Sequence, residues 1–146
     1  MKNIKLTNYE IRAILGLLQR QDGILNSDKP YPLSILWVID ENRHKLYDIA
    51  VRIDEADKKI RDKYSDDEHS FEITLENGNT DRQVKDEYIK DFQKELTELN
   101  NITNEISVST INYNDLVNYE ISGKDLQSVK FMIEKPEETE VEVITE

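Results

Sequence analysis

Residues 39–60 read IDENRHKLYDIAVRIDEADKKI, a stretch in which apolar side chains recur at heptad spacing. The repeat is formed by Ile39, Leu46, Ile49, Ile53, Ala56 and Ile60. Charged residues fill most of the positions between them. Such a stripe lies on one face of an α-helix and needs another helix to cover it. The stretch therefore predicts a helical scaffold with coiled-coil-like packing, and it carries no signature of chemistry.

The helix that contains this stripe extends well beyond it. Nothing interrupts helix formation from Leu33 to about Tyr64, and at 1.5 Å per residue such a helix is roughly 48 Å long. A shorter helix is predicted over about residues 8–21. Thr7 and Glu10 form a capping box at its start, and Gly23 suits the left-handed residue that closes it.

A β-hairpin is predicted near residues 71–84. Apolar and polar residues alternate from Phe71 to Leu75, and Asn77-Gly78 follows, which is the strongest short signal for a tight turn. The returning strand, around residues 80–84, has weak β preference.

A third helix follows the hairpin and repeats the stepping of the long helix. Its apolar positions are Ile89, Phe92, Leu96 and Leu99. The two short helices are expected to lie along the long one, as an antiparallel helical hairpin or three-helix bundle. A strand at Ile106 and Val108 and a helix capped by Ser122 and ending before Pro136 complete the fold.

The predicted class is therefore α+β and mainly α, with a small β-hairpin and a C-terminal strand-helix element. Residues 1–135 form a single domain, and residues 136–146 form an acidic tail. Within the tail, residues 141–144 are either an edge strand or part of a disordered segment.

Composition excludes several classes of function. With no Cys, the chain has no thiolate nucleophile, no disulfide and no Cys-based zinc site. Nineteen basic against 31 acidic residues give a net charge of -12, which disfavours direct contact with nucleic acid or an anionic membrane. No stretch approaches the roughly 20 apolar residues of a membrane span, and no signal peptide is recognisable, so a cytoplasmic protein is predicted.

Catalytic, cofactor and metal sites find little support. His44 lies four residues from both Asp40 and Asp48, a spacing that suits a divalent cation, and His69 follows an acidic run. Ordinary helix surface and a solvated turn explain these two patterns more simply. Four scattered glycines form no phosphate loop. We therefore predict a protein that is not an enzyme, with no catalytic residues, no cofactor and no bound metal.

Aromatic residues are the candidates for partner binding. Tyr and Trp combine a large apolar face with a polar group, which suits protein interfaces. On this basis Tyr31, Trp37, Tyr113 and Tyr119 are predicted recognition anchors. The alternative interpretation places them at the rim of a thin core.

Several framework segments resemble a known family. These are residues 4–11, Asp62-Lys63-Tyr64, residues 92–96, and the closing residues 125–134. Together they are similar to a family of small phage and prophage proteins of Gram-positive bacteria, over about residues 3–135. Members of that family are generally of unknown function, so the resemblance implies no active site. It implies a viral gene product that acts inside a bacterial cell.

Three functions follow as hypotheses. The first is a non-enzymatic phage protein that binds and inhibits, or redirects, a host bacterial protein such as a defence or nucleic-acid-processing enzyme. The second is a virion or assembly component, a homo-oligomer whose heptad stripe pairs between subunits. The third is an acidic mimic of DNA.

Overall fold

The computed structural model describes residues 1–26, 28 and 31–134. The helices are α1 Asn8–Leu18, α2 Leu33–Lys63, α3 Asp86–Asn100 and α4 Gly123–Val129. The strands are β1 Lys2–Thr7, β2 Ser70–Thr74, β3 Thr80–Val84, β4 Thr103–Val108, β5 Ile111–Asn112 and β6 Ile133–Glu134. Short 3-10 turns cover Tyr113–Asp115 and Lys130–Met132. The predicted α+β class with one long helix is confirmed.

Helix α1 begins at the predicted capping box and ends earlier than predicted. The Thr7 hydroxyl accepts a hydrogen bond from the Glu10 backbone N–H at 3.1 Å, and the Glu10 carboxylate accepts one from the Thr7 N–H at 2.9 Å. Among the described residues only Gly78 has a positive φ, so the prediction of a left-handed Gly23 is wrong. A Cβ on Gly23 would lie 3.0 Å from the Leu17 carbonyl oxygen. The absence of a side chain at Gly23 therefore lets the backbone pass close to the C-terminal end of α1.

Helix α2 buries the heptad stripe within the chain. Ile39, Leu46 and Ile53 are at most 3% exposed, and α1 and α3 both pack against α2. The heptad position between Ile39 and Leu46 is filled by Asn42, whose side chain is fully buried. Ile49, Ala56 and Ile60 are partly buried and pack against the same core, so the chain itself covers much of the stripe.

The described strands form three separate two-stranded sheets. β2 and β3 form the predicted hairpin, with Ser70 opposite Val84. Gly78 lies in its turn with a φ of 85°, a conformation that favours glycine. β1 pairs antiparallel with β4, and β5 pairs parallel with β6. The sequence did not predict β1, which meets its partner about a hundred residues along the chain.

The C-terminal helix is shorter than predicted. The Ser122 hydroxyl caps α4 by accepting the Asp125 N–H at 3.1 Å. α4 ends at Val129, and after one 3-10 turn Ile133 lies in β6. The prediction of a helix up to Pro136 is therefore wrong. The predicted acidic tail, residues 136–146, and its edge strand at residues 141–144 lie outside the described residues.

Two polar links join the C-terminal elements to the helices. The Asn42 side-chain amide donates to the Ser109 carbonyl oxygen at 2.8 Å and accepts from the Ser109 N–H at 3.0 Å. The Arg20 guanidinium lies 2.9 Å from the carboxylate of Asp125, which is only 4% exposed. No helix among the described residues has both the length and the apolarity of a membrane span.

Candidate protein-binding surface

The four predicted anchors differ in exposure: Tyr31 and Tyr119 are buried or partly buried, whereas Trp37 and Tyr113 are exposed. Tyr31 is 7% exposed, and its hydroxyl donates to the Glu120 carbonyl oxygen at 2.8 Å. Tyr119 is partly buried and packs on it, with ring centroids 5.4 Å apart. Burial, and secondarily the negative charge of Asp125, raises the pKa of Tyr31 above its ordinary value. The rings of these two tyrosines pack together at the edge of the core.

Trp37, in contrast, lies on the open face of α2. Trp37 is 69% exposed, and Leu33, one helical turn earlier, is 76% exposed. Residues four apart lie on the same face of a helix, whereas residues two apart point roughly opposite ways. Ile35 and Ile39 are buried, so Leu33 and Trp37 necessarily face outward. The geometry of α2 therefore forces a large apolar pair into solvent.

We use the name Trp37 surface for five residues of α2. They are Leu33, Trp37, Asp40, Glu41 and His44. Trp37 helps to line two hollows. The first measures about 490 Å³ and is lined by Leu18, Gln19, Leu25, Asn26, Leu33, Leu36, Trp37, Asp40 and Arg43. The second measures about 320 Å³ and is lined by Trp37, Asp40, Glu41 and His44. An incoming side chain can thus contact the indole from either hollow.

The polar groups around the indole are held by hydrogen bonds. The Asp40 carboxylate accepts from Arg43 at 2.9 Å, and the Glu41 carboxylate accepts from the Ser109 hydroxyl at 3.1 Å. His44 Nδ1 lies 2.9 Å from the Asp40 backbone carbonyl oxygen. These contacts order two carboxylates beside the exposed ring, and such an arrangement suits recognition of an apolar group flanked by positive charge.

The two residue patterns whose spacing suits a cation have different geometries in the structure. Within the described residues, His44, Asp40 and Asp48 do not converge as a ligand group, whereas Asp66, Glu68 and His69 do, with ligand atoms within 4.8 Å of one another. His69 Nδ1 lies 2.6 Å from the Asp66 carboxylate, and this hydrogen bond lowers the pKa of Asp66. The same imidazole packs against the rings of Tyr64 and Tyr88. These contacts hold the loop between α2 and β2.

Tyr113 lies in a different place, at a groove on the C-terminal side of the fold. The groove measures about 740 Å³ and is lined by Lys2, Tyr113, Leu126, Gln127, Lys130, Ile133 and Glu134. We call it the Tyr113 groove. The sequence analysis did not identify Lys2, Leu126 or Lys130 as residues of a binding surface. The four-residue spacing of Leu126 and Lys130 is a signal that could have grouped these two on one face of the segment that begins at Ser122.

Comparisons with known proteins add no relative. No protein-family model, no curated protein and no solved structure matches the chain. The resemblance to phage and prophage proteins therefore stays a prediction.

Proposed function

We propose that the protein is a non-enzymatic, phage-encoded protein that binds and inhibits, or redirects, a host bacterial protein in the host cytoplasm. In this proposal α1 and α3 lie along α2 as a helical bundle that serves as scaffold, and the Trp37 surface makes the central contact. The observation that supports it most is the exposure of Trp37 beside Leu33 on a rigid helix.

The exposed pair is costly to keep in water. Burying one large apolar side chain is worth about 1.5–3 kcal/mol, so covering both would contribute several kcal/mol to a complex. Trp is also the residue most enriched among interface hot spots, in particular where it is central and flanked by groups that exclude water. The residues that line the two hollows beside Trp37 could contact a partner around this central indole.

The charge of the surface indicates the chemistry of the partner. Asp40, which forms an ion pair with Arg43, and Glu41 lie beside the indole, and the whole chain has a net charge of -12. Complementary charge speeds association and suppresses wrong partners. The partner is therefore expected to present an apolar pocket bordered by Lys or Arg.

Affinity capture from bacterial lysate tests the proposal with matched variants. The baits are the wild-type chain, Trp37→Ala and Tyr9→Ala, since Tyr9 is an aromatic residue of similar exposure, 66%, on α1. We expect one host protein to be retained by the wild type and Tyr9→Ala, and lost with Trp37→Ala. Retention of the same proteins by all three baits contradicts a role for the Trp37 surface.

A further inference from the structure

The Tyr113 groove has two lysines at its edge on a chain that is acidic as a whole. Lys2 and Lys130 are both exposed at its edge, and no carboxylate among the described residues forms an ion pair with either of them. Glu134, the acidic residue of the groove, accepts a hydrogen bond from the Thr110 hydroxyl at 3.1 Å. The Lys2 ammonium group also lies 3.5 Å from the Ile133 carbonyl oxygen. With Lys2 and Lys130 against the single carboxylate of Glu134, the lining of the groove is net positive on a chain whose net charge is -12.

The floor of the groove is apolar. Tyr113 and Leu126 are 45% and 42% exposed, and Ile133 contributes an aliphatic side chain beside them. The volume of about 740 Å³ falls within the roughly 300–1,000 Å³ typical of ligand sites. A suitable occupant therefore combines an apolar side chain with negative groups on either side of it.

The backbone around the groove favours a peptide as that occupant. Among the described residues β6 pairs only with β5, so its second edge has no strand partner. An extended segment that lies along such an edge gains main-chain hydrogen bonds, while its alternate side chains enter adjoining pockets. A phosphate backbone is disfavoured relative to a short peptide, because it carries a charge on every nucleotide along its length, whereas the peptide places only a few carboxylates near Lys2 and Lys130.

We propose that the Tyr113 groove binds an acidic peptide segment of a partner protein, in which carboxylates flank an aliphatic or aromatic side chain. The peptide's apolar side chain contacts Tyr113, Leu126 and Ile133. Its carboxylates accept hydrogen bonds from the Lys2 and Lys130 ammonium groups. This site is independent of the Trp37 surface.

Fluorescence anisotropy with a labelled hexapeptide of sequence Asp-Glu-Leu-Phe-Glu-Asp tests the proposal on the full-length chain. We expect saturable binding that weakens at least tenfold in the double variant Lys2→Glu, Lys130→Glu. The matched control is Lys124→Glu, an exposed lysine of α4 that does not line the groove, and it should change affinity less than twofold. A peptide with Asn and Gln in place of the acids should bind at least tenfold more weakly.

Three results would overturn the proposal. The first is the absence of saturable binding up to 1 mM peptide. The second is an equal loss of affinity in Lys124→Glu, which would indicate charge attraction without a site. The third concerns a different occupant and uses a full-length variant with serine at Val141, Val143 and Ile144. If only this variant binds the peptide, the chain's own C-terminal segment fills the groove and no partner is needed.

Discussion

Substitution of Asn42 by Ala should destabilise the protein more than its small change in volume suggests. Both polar atoms of the Asn42 side chain are hydrogen bonded to the backbone of Ser109, at 2.8 and 3.0 Å, and the residue is fully buried in the α2 stripe. Each bond contributes about 1 kcal/mol net, and leaving its backbone partner without a replacement costs about 1–3 kcal/mol. Ser109 is half-buried, so water will compensate part of this cost. We expect a loss of about 2–3 kcal/mol.

The assay is urea unfolding followed by far-UV circular dichroism, with thermal unfolding as a second measurement. For a chain of this size about 1 kcal/mol corresponds to roughly 3 °C, so Tm should fall by about 6–9 °C. The control is Asn118→Ala, an exposed asparagine, which should change the free energy of unfolding by less than about 0.5 kcal/mol.

A second variant separates the hydrogen bonds from packing. Asn42→Asp keeps the shape, but an ionised carboxylate cannot donate to the Ser109 carbonyl oxygen, and burying its charge adds a further cost. We expect Asn42→Asp to be less stable than Asn42→Ala at pH 7 and to recover relative to the wild type as the pH falls and the carboxyl becomes a donor. If both variants stay within about 0.5 kcal/mol of the wild type, the argument for this link is refuted.

Three further predictions concern other parts of the fold. Arg20→Met leaves Asp125 buried without its cation and should lower the free energy of unfolding in urea by about 3 kcal/mol. Adding Asp125→Leu to this variant should restore part of the lost stability. A further loss of stability in the double variant would contradict the role of this ion pair. The hydrogen bond from the Tyr64 hydroxyl to Glu95 raises the pKa of Tyr64 to about 12 and lowers the pKa of Glu95. Its stabilising contribution is therefore complete only between the ordinary pKa of a Glu carboxyl and about pH 10. It is lost between about pH 10 and 12 as Tyr64 ionises, and it is lost in acid as the pH falls through the lowered pKa of Glu95. Absorbance titration of tyrosinate should lose its most alkaline step in Tyr64→Phe, and an unchanged step would refute the assignment. Gly78→Ala places a residue with a side chain at a φ of 85° and should lower the free energy of unfolding by about 1 kcal/mol. Gly123→Ala, where a Cβ meets open space, should lower it less. Equal losses in the two variants would refute the argument for the turn.

Local sequence patterns predicted the parts of the fold that depend on neighbours along the chain. The length of α2, the capping box at Thr7 and the hairpin turn at Gly78 all follow from residues within a few positions of one another. The pairing of β1 with β4 could not be found this way. It joins segments about a hundred residues apart, and Lys2–Thr7 has too little apolar alternation to reveal a strand by itself.

Asn42 shows a second limit of pattern analysis. A polar residue interrupts an apolar repeat, so sequence reasoning passes over it, although it occupies a heptad position and is fully buried. Only the tertiary structure supplies the Ser109 backbone that satisfies its amide.

The predicted recognition residues differ in their exposure. The choice of large aromatic residues reached Trp37 and Tyr113, which are exposed, but the same criterion selected Tyr31, which is buried. Residue type alone cannot separate these cases, because exposure depends on which face of an element meets the core. For Trp37 the sequence did contain the answer, because a residue two positions from both Ile35 and Ile39 lies on the opposite face of the helix from these apolar residues. For the Tyr113 groove the local spacing grouped Leu126 with Lys130, but no local signal could add Lys2, which reaches the groove from the other end of the chain.

The most direct test of the central claim uses Trp37 as its own reporter. The chain contains one Trp, so incorporation of 5-fluorotryptophan gives a single 19F NMR resonance from the proposed contact. On addition of the host protein recovered by capture, we predict that this resonance shifts and broadens and that its sensitivity to solvent falls. Trp37→Ala should weaken the same complex about 30-fold, equivalent to about 2 kcal/mol, without lowering Tm. A complex that forms while the 19F resonance keeps its free position and solvent exposure would contradict the account.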